Sequence, residues 1–403
     1  MARTVLGIDR VVRDGLPLPG RGRAGVLCNA TTVTAAWVPT AEALSRVPGL
    51  RLERIFSPQH GFAAEKQDNM IASADGVHAR LGVPIVSLYG ARREPEPAAL
   101  DGLDALIVDL PDVGTRVYTF LVTALLVLRA CIARGLPVIV LDRPNPIGGA
   151  IEGPVLEPAF GSFVGLADVP LRHGLTAAEF LAYGAAPLGL PADNEGLRVI
   201  AMENWRRSSY YDDTGLPWTM PSPNLPALET AILYPGQVML EGTNVSEGRG
   251  TTRPFEIFGA PFIDPPCLEA ALRDDDALLA GAHLREVAFE PTFQKHAGHL
   301  ARGFQIHVTD RARFRPVAAT LALLCALRRV HGDAFAWREP PYEYETKRMP
   351  IDLICGTDRV RLAIDAGRSA REIVGTWDEG LAAFRQRARR WMIYGDGGAA
   401  DPA

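Results

Sequence analysis

The chain has 403 residues, more than one typical hydrophobic core accommodates, and this length predicts two domains. Hydrophobic residues make up 47% of the chain and charged residues 22%, an ordinary globular composition that excludes wholesale disorder. The formal net charge of -5 provides no electrostatic basis for binding nucleic acid or an anionic membrane surface, since both require a basic face.

The cysteines and the first residues bear on the cellular compartment. Cys28, Cys131, Cys267, Cys325 and Cys355 lie mostly inside apolar runs without metal-site spacing, so we expect buried free thiols in a reducing compartment. The opening MARTVLGIDRVVRDG places charges too early for the apolar core of a signal peptide. No run approaches the roughly 18 apolar residues of a membrane span. These features predict a cytoplasmic protein.

Short apolar runs in the first half of the chain predict strands that alternate with helices. Runs of this length, bounded by turn signals, are typical of strands buried on both faces of a parallel sheet. Their alternation with amphipathic helices indicates βαβ units and an α/β fold. The predicted strands are AGVLCNA, RLERIF, VPIVSLYG, ALIVDL, LPVIVLD and LRVIAMENW.

The pattern changes from about Gly259. The segments LREVAFEPTFQKHAG and ARGFQIHVTD alternate polar and apolar residues, which is typical of half-exposed antiparallel strands. Long helices are predicted over residues 316–330 and 370–391. A second domain of the α+β class is therefore expected.

One stretch, LEGTNVSEGRGTTRPFE at residues 240–256, concentrates charged and amide side chains around three glycines. It follows the apolar run AILYPGQVML, so we expect it to leave the end of a strand, where open α/β sheets place ligand chemistry. A solvated turn is the alternative, but ordinary connections are shorter and less polar. The candidate residues are Glu241, Asn244, Glu247, Arg249 and Arg253.

Polar side chains also follow the other apparent strand ends. The carboxyl ends of parallel strands lie at one edge of a sheet, so these groups are expected to converge on one cleft. The alternative is that these loops are polar only because loops are exposed. The additional candidates are Asn29, Gln59, His60, Glu65, Asp112, Arg116, Tyr118, Arg143, Asn145, His173, Ser222 and Asn224.

The absence of several well-known catalytic and metal-binding motifs excludes some classes of reaction. The chain contains no G-x-x-x-x-G-K-[ST], G-x-S-x-G or H-E-x-x-H pattern and no EF-hand loop, and its histidines are dispersed, so we expect neither a metal nor a cofactor. Carboxylates are the strongest candidates for acid/base work, as in sugar hydrolysis. The arginines in these loops have the geometry to bind a carboxylate group of the substrate. The alternative is that they form ion pairs within the protein. The predicted ligand is a polyhydroxylated or anionic small molecule.

Several segments carry a family resemblance. In order, FSPQHGF, DLPDVGTRVYTF, LDRPNPIGG followed by EGP, PSPNLPALETAILYPG and LEGTNVSEGRGTTRPFE resemble motifs of a bacterial family of exo-acting β-N-acetylmuramidases. The match spans about residues 24–261 and continues more weakly to the C-terminus. The resemblance implies a Rossmann-like, mostly parallel sheet domain over residues 20–240, a smaller α+β domain over residues 241–395, and a cleft between them. It also implies hydrolysis of non-reducing terminal N-acetylmuramic acid from muropeptides or muramyl disaccharides.

One position departs from the family pattern. Many members carry FSPEHG, and a glutamate of that neighbourhood is the favoured catalytic acid, whereas this chain has Gln59, which cannot ionise. We therefore expect Glu65 to be the acid, with Glu241 or Glu247 as its partner and arginines holding the lactyl carboxylate. Two alternatives stay open: a non-catalytic binding protein for cell-wall sugars, and a phosphosugar or other carbohydrate enzyme using the same cleft. No oligomeric state is predicted.

Overall fold

The computed structural model of the protein describes residues 2–186 and 196–395. Its main sheet has the strand order β3-β4-β2-β1-β5-β6-β9, and all neighbours are parallel except β3, which is antiparallel to β4. The six predicted strands of the first half and their parallel arrangement are thus confirmed. The strands up to β9 are β1 (Arg23–Leu27), β2 (Arg51–Ser57), β3 (Gly76–Val77), β4 (Pro84–Ser87), β5 (Ala105–Val108), β6 (Val138–Leu141), β7 (Glu152–Val155), β8 (Pro170–Arg172) and β9 (Leu197–Ile200).

Helices cover both faces of this sheet. Successive residues of β5 point to opposite faces, so Ile107 joins the core beside α1 and α2 while Leu106 and Val108 join the core beside α4 and α5. No described helix has both the length and the apolar character needed to cross a membrane. The first five helices are α1 (Gly7–Asp14), α2 (Thr40–Leu44), α3 (Pro97–Leu100), α4 (Phe120–Ile132) and α5 (Ala177–Ala185).

The second half contains the predicted antiparallel strands. β12 pairs with both β10 and β11, so the predicted hairpin is confirmed and gains a third strand. The remaining elements are α6 (Leu228–Gln237), β10 (Ile257–Ala260), α7 (Pro265–Leu272), β11 (Ala282–Phe289), β12 (Ala301–Val308), α8 (Pro316–His331), α9 (Pro350–Cys355), α10 (Arg359–Asp365), α11 (Ala370–Gly375) and α12 (Asp378–Ala388). Helix α8 agrees with its prediction.

Two predicted elements are wrong. The single helix over residues 370–391 is broken, because α11 ends at Gly375 and the chain turns to bury Trp377 before α12 begins. The run AILYPGQVML is not a strand. It forms α6 and a 3-10 turn, because an apolar run can equally be a buried helix. Gly236 allows α6 to lie directly against α8, since a Cβ there would meet the carbonyl oxygen of Pro316 at 2.0 Å.

The predicted domain boundary at residue 240 stays a prediction. One hydrophobic cluster contains side chains from Leu27 in β1 to Ala388 in α12, and it therefore includes both predicted domains.

Arg116 connects elements far apart in the sequence. Its Nη1 donates to the carbonyl oxygens of Pro154 at 2.9 Å and Val169 at 2.8 Å, and its Nη2 donates to that of Ile354 at 2.9 Å. Burial lowers the pKa of this guanidinium to about 10. The predicted role of Arg116 in substrate binding is wrong. Its guanidinium is instead bonded to three carbonyl groups of the core that joins the β7–β8 pair to α9.

Replacing Arg116 with Met should destabilise the fold by about 3 kcal/mol, because three buried carbonyls lose a charged donor. Urea denaturation of both proteins measures the difference. The matched control is Arg253→Met, whose side chain is 57% exposed and pairs with Glu256, and which should change stability by less than about 1 kcal/mol. Equal stability of Arg116→Met and wild type would contradict this structural role.

Candidate active site

A small buried cavity lies beyond the carboxyl ends of β2 and β5, between α6 and the segment that precedes α9. Its volume is about 30 Å³, which is room for about one or two water molecules rather than a sugar ring. Seven predicted site residues lie in its wall: Gln59, His60, Tyr118, Ser222, Asn224, Glu241 and Arg249. Tyr342 and Glu343, which were not among the residues predicted from the sequence, also line it.

Glu343 is the buried acid of this cavity. Its Oε2 accepts a hydrogen bond from the Tyr89 hydroxyl at 2.7 Å, and its Oε1 accepts one from Gln59 Nε2 at 3.2 Å. Burial raises the pKa of Glu343 above its ordinary value, and the negative charge of Glu241 adds to the shift. The hydrogen bonds from Tyr89 and Gln59 and the positive charge of Arg93 oppose it. The buried environment therefore disfavours the ionised form of this carboxyl group relative to a carboxyl group in water.

Gln59 holds this acid in place from the end of β2. The hydroxyl of Thr119 donates to Gln59 Oε1, which fixes the amide so that its Nε2 faces both Glu343 and, at 3.0 Å, the Tyr89 hydroxyl. A glutamine at this motif position is thus a hydrogen-bond donor to the neighbouring acid.

Several residues around the cavity adopt the left-handed backbone region. The φ angles are 48° at Glu343, 67° at Tyr344, 72° at His60 and 61° at Phe255. Such a conformation costs a non-glycine residue about 1–3 kcal/mol and is concentrated at functional sites. Its recurrence here indicates that the fold holds the side chains of the cavity in place although the backbone conformation is unfavourable.

Glu241 is the second carboxylate in the wall. It accepts a hydrogen bond from Arg249 Nη2 at 2.7 Å through Oε1 and one from the Tyr342 hydroxyl at 2.7 Å through Oε2. The carboxylate of Glu241 is thus in direct contact with a cation, whereas Glu343 feels the charge of Arg93 without forming an ion pair with it. Two acidic groups in one cavity have distinct surroundings, which is the arrangement that separates acid and base roles.

Glu247 contacts Arg249, as Glu241 does, but it does not line the cavity. Its Oε1 is 3.3 Å from Arg249 Nε and its Oε2 is 2.7 Å from Lys295 Nζ. Burial alone would raise the pKa of Glu247, but Lys295 and Arg249 hold it below its ordinary value. The predicted catalytic role does not fit this position; Glu247 instead neutralises two buried cations.

Glu65 is also outside the cavity. The backbone reverses at His60 and Gly61, so the Glu65 carboxylate folds back over Gly61, where a Cβ would meet its oxygens at 2.6 Å. The side chain is 48% exposed and lies 3.8 Å from Lys66 Nζ. The structure therefore contradicts the placement on which the acid role of Glu65 depended.

The segment at residues 60–69, which carries Glu65, covers the cavity and is called the covering segment below. His60 Nδ1 lies 2.6 Å from the carbonyl oxygen of Lys66, and the carbonyl oxygen of Gln67 accepts a hydrogen bond from Asn224 Nδ2 at 2.7 Å. Burial lowers the pKa of His60 to about 4, so its ring is neutral near pH 7. His60 and Asn69 of this segment belong to the cavity wall.

Three predicted amide ligands brace loops away from the cavity wall. Asn29 Nδ2 donates to the carbonyl oxygen of Pro221 at 3.2 Å. Asn145 Nδ2 donates to the carbonyl oxygen of Leu175 at 3.0 Å, and Asn244 Nδ2 donates to that of Ala334 at 2.8 Å. The predicted convergence thus includes the residues of the cavity wall but not these three amides, which support loops.

The remaining predicted residues form pairs outside the main cavity. Arg143 Nη2 donates to Asp109 Oδ2 at 2.8 Å, and Arg253 Nη1 lies 3.2 Å from Glu256 Oε2. His173 Nε2 lies 3.1 Å from Asp112 Oδ2. Asp112 and Arg143 also line a second cavity of about 30 Å³.

The described ranges, 2–186 and 196–395, contain no group of three or more His, Cys, Asp or Glu side chains arranged to hold a metal ion. All five cysteines are free. Cys267 is exposed, contrary to the prediction of burial, whereas the other four are buried.

The comparisons with known proteins agree with this architecture. Two family models match, described as exo-beta-N-acetylmuramidase NamZ, N-terminal, over residues 24–229, and NamZ, C-terminal, over residues 232–394. The chain is 37% identical over 391 residues to the peptidoglycan beta-N-acetylmuramidase NamZ of Bacillus subtilis (strain 168), an alignment that covers 96% of this chain and 91% of the relative.

Solved structures are also similar. Two crystal structures of DUF1343 family proteins from Bacteroides fragilis match with TM-scores of 0.87 and 0.76 and sequence identities of 27% and 26%. Each match covers 98% of this chain and 100% of the other. The chain therefore belongs to the exo-β-N-acetylmuramidase NamZ family.

Proposed function

We propose that this protein is a glycoside hydrolase that releases N-acetylmuramic acid from the non-reducing end of peptidoglycan fragments, with muramyl disaccharides or muropeptides as substrates. The observation that carries the proposal is the presence of two buried carboxyl groups, Glu343 and Glu241, with different partners in one cavity wall. Family membership supports the same chemistry. The cytoplasmic location stays a prediction.

Glu343 is the general acid in this proposal. It gives its proton to the glycosidic oxygen as the bond from that oxygen to the anomeric carbon breaks, and the departing sugar leaves as an alcohol. Glu241, held by Arg249 and Tyr342, supplies the negative charge facing the oxocarbenium-like transition state. Water then adds its oxygen to the anomeric carbon and gives a proton to the Glu343 carboxylate, which restores the acid.

The two alternative functions, a non-catalytic binding protein and a phosphosugar enzyme, differ in their support. Gln59 stands at the motif position where many family members have a glutamate, so the cavity has one ionisable group fewer, and this difference is compatible with a binding protein. The phosphosugar enzyme loses support, since Arg249 is the one arginine or lysine in the described cavity wall and it is already paired with two carboxylates.

Glu343→Gln should lower kcat by about 100-fold to 10,000-fold, because the substituted amide has no proton to transfer. Glu241→Gln should also be strongly impaired, and Glu65→Gln should keep wild-type turnover as a matched control with an exposed carboxylate. The measurement is release of free N-acetylmuramic acid from N-acetylmuramyl-β-1,4-N-acetylglucosamine by mass spectrometry.

Other outcomes would change the assignment. Loss of turnover in Glu65→Gln with full turnover in Glu343→Gln would reverse the two roles. No release by the wild type, together with a thermal shift on adding the disaccharide, would favour the binding protein. Activity gained by Gln59→Glu in that case would identify the missing group.

Glu343→Gln should also raise the melting temperature near pH 7. The pKa of Glu343 is higher in the folded protein than in the unfolded chain, so ionisation above the unfolded value of about 4.3 is unfavourable in the folded state. Below that pH both states are protonated and the gain should vanish. Calorimetric scans at pH 4 and pH 7 measure it; a melting temperature lowered equally at both would contradict the raised pKa.

A further inference from the structure

Arg93 occupies an aromatic cluster beside the cavity. Its guanidinium carbon lies 4.0 Å from the ring centroid of Phe163, 4.4 Å from that of Tyr344 and 4.8 Å from that of Tyr89. Rings at these distances attract a cation and restrict where its side chain can point. The guanidinium is therefore positioned before any ligand arrives.

This guanidinium forms no ion pair with a described residue, although its charge acts on Glu343 from a greater distance. No carboxylate oxygen there lies within 4.0 Å of its nitrogens, and its Nη1 is buried without a hydrogen-bond partner. Buried polar atoms are normally satisfied, so an exception calls for an explanation such as an absent ligand. The arginines predicted to bind substrate are already bonded to carbonyls or carboxylates.

Tyr89 links this cluster to the proposed acid. Its hydroxyl donates to Glu343 Oε2 at 2.7 Å, while the other side of the cluster is formed by Tyr344, the residue that follows Glu343. Tyr344 is 43% exposed, so the cluster reaches the surface. Arg93 thus lies one tyrosine ring from the acid, on the outer side of the cavity.

We propose, resting on the proposed function, that Arg93 binds a carboxylate carried by the muramyl residue and so distinguishes this sugar from N-acetylglucosamine. The two sugars differ by the lactyl ether, whose carboxylate is the added charge. A guanidinium presents a planar fork of N–H donors that matches a carboxylate, and a restrained fork loses little freedom on binding. A free lactyl group and a stem peptide both offer this chemistry.

The test compares four para-nitrophenyl β-glycosides: N-acetylmuramic acid, its neutral lactyl amide, its L-alanine conjugate and N-acetylglucosamine. The wild type should favour the free acid over the neutral amide by about 100-fold in kcat/KM. Arg93→Gln should lose this preference by slowing hydrolysis of the acid alone, and Arg93→Lys should keep part of it. Arg92→Gln, whose side chain pairs with Asp75 and Glu96, is the neighbouring control and should keep the wild-type ratio.

The substrate ratio separates recognition from folding, because partial misfolding lowers all four rates together. An equal loss on all four substrates in Arg93→Gln would overturn the proposal. A wild-type preference for the L-alanine conjugate, lost in Arg93→Gln, would assign the contact to a stem carboxylate.

Calorimetry with free N-acetylmuramic acid and free N-acetylglucosamine gives a readout independent of hydrolysis. If the wild type hydrolyses none of the glycosides, the proposed function fails. Tighter binding of the muramic sugar that is lost in Arg93→Gln would then still support this contact, and equal binding of both sugars would overturn it.

Discussion

The site depends on the pairing of Arg249 with two carboxylates. Glu241 lies on one side of its guanidinium and Glu247 on the other, with Lys295 beyond Glu247, so negative and positive groups alternate through the buried loop at residues 240–256. Removing one member would leave an uncompensated buried charge, which costs several kcal/mol. A loop so polar is stable in the interior because each charge has an opposite neighbour.

This alternation stops at the cavity, and the break gives the site its chemistry. Glu241 faces the cavity with a guanidinium behind it, whereas Glu343 has only the neutral donors Tyr89 and Gln59 within hydrogen-bonding distance. A carboxyl that is buried without a cation in direct contact and close to another carboxylate retains its proton to higher pH, even though the charge of Arg93 opposes the shift. The difference between the two acids thus follows from where the paired cations end.

The sequence was sufficient for the parallel sheet, since buried strands leave short apolar runs, and for Gln59, His60 and Tyr118, since the ends of β2 and β5 share an edge. Glu241 and Arg249 also lie in the cavity wall, but they follow helix α6 and not the predicted strand. The sequence was insufficient for Glu343, which is 284 positions from its partner Gln59 and does not follow a strand end. A glutamate between two tyrosines in PPYEYE was the available signal. Glu65 was misplaced because spacing within a loop does not reveal a backbone reversal such as that at His60 and Gly61.

The segment that covers the cavity contacts residues that also take part in the buried charge network. The carbonyl oxygen of Gln67 accepts from Asn224 Nδ2 and lies 3.5 Å from Arg249 Nη1, so the residues that hold the segment closed also line the cavity. The position of this segment and the charge of the cavity wall therefore depend on the same two side chains, Asn224 and Arg249. Because burial weakens solvent screening, the electrostatic interactions of Glu241 and Glu343 are stronger beneath this segment than they would be in open water.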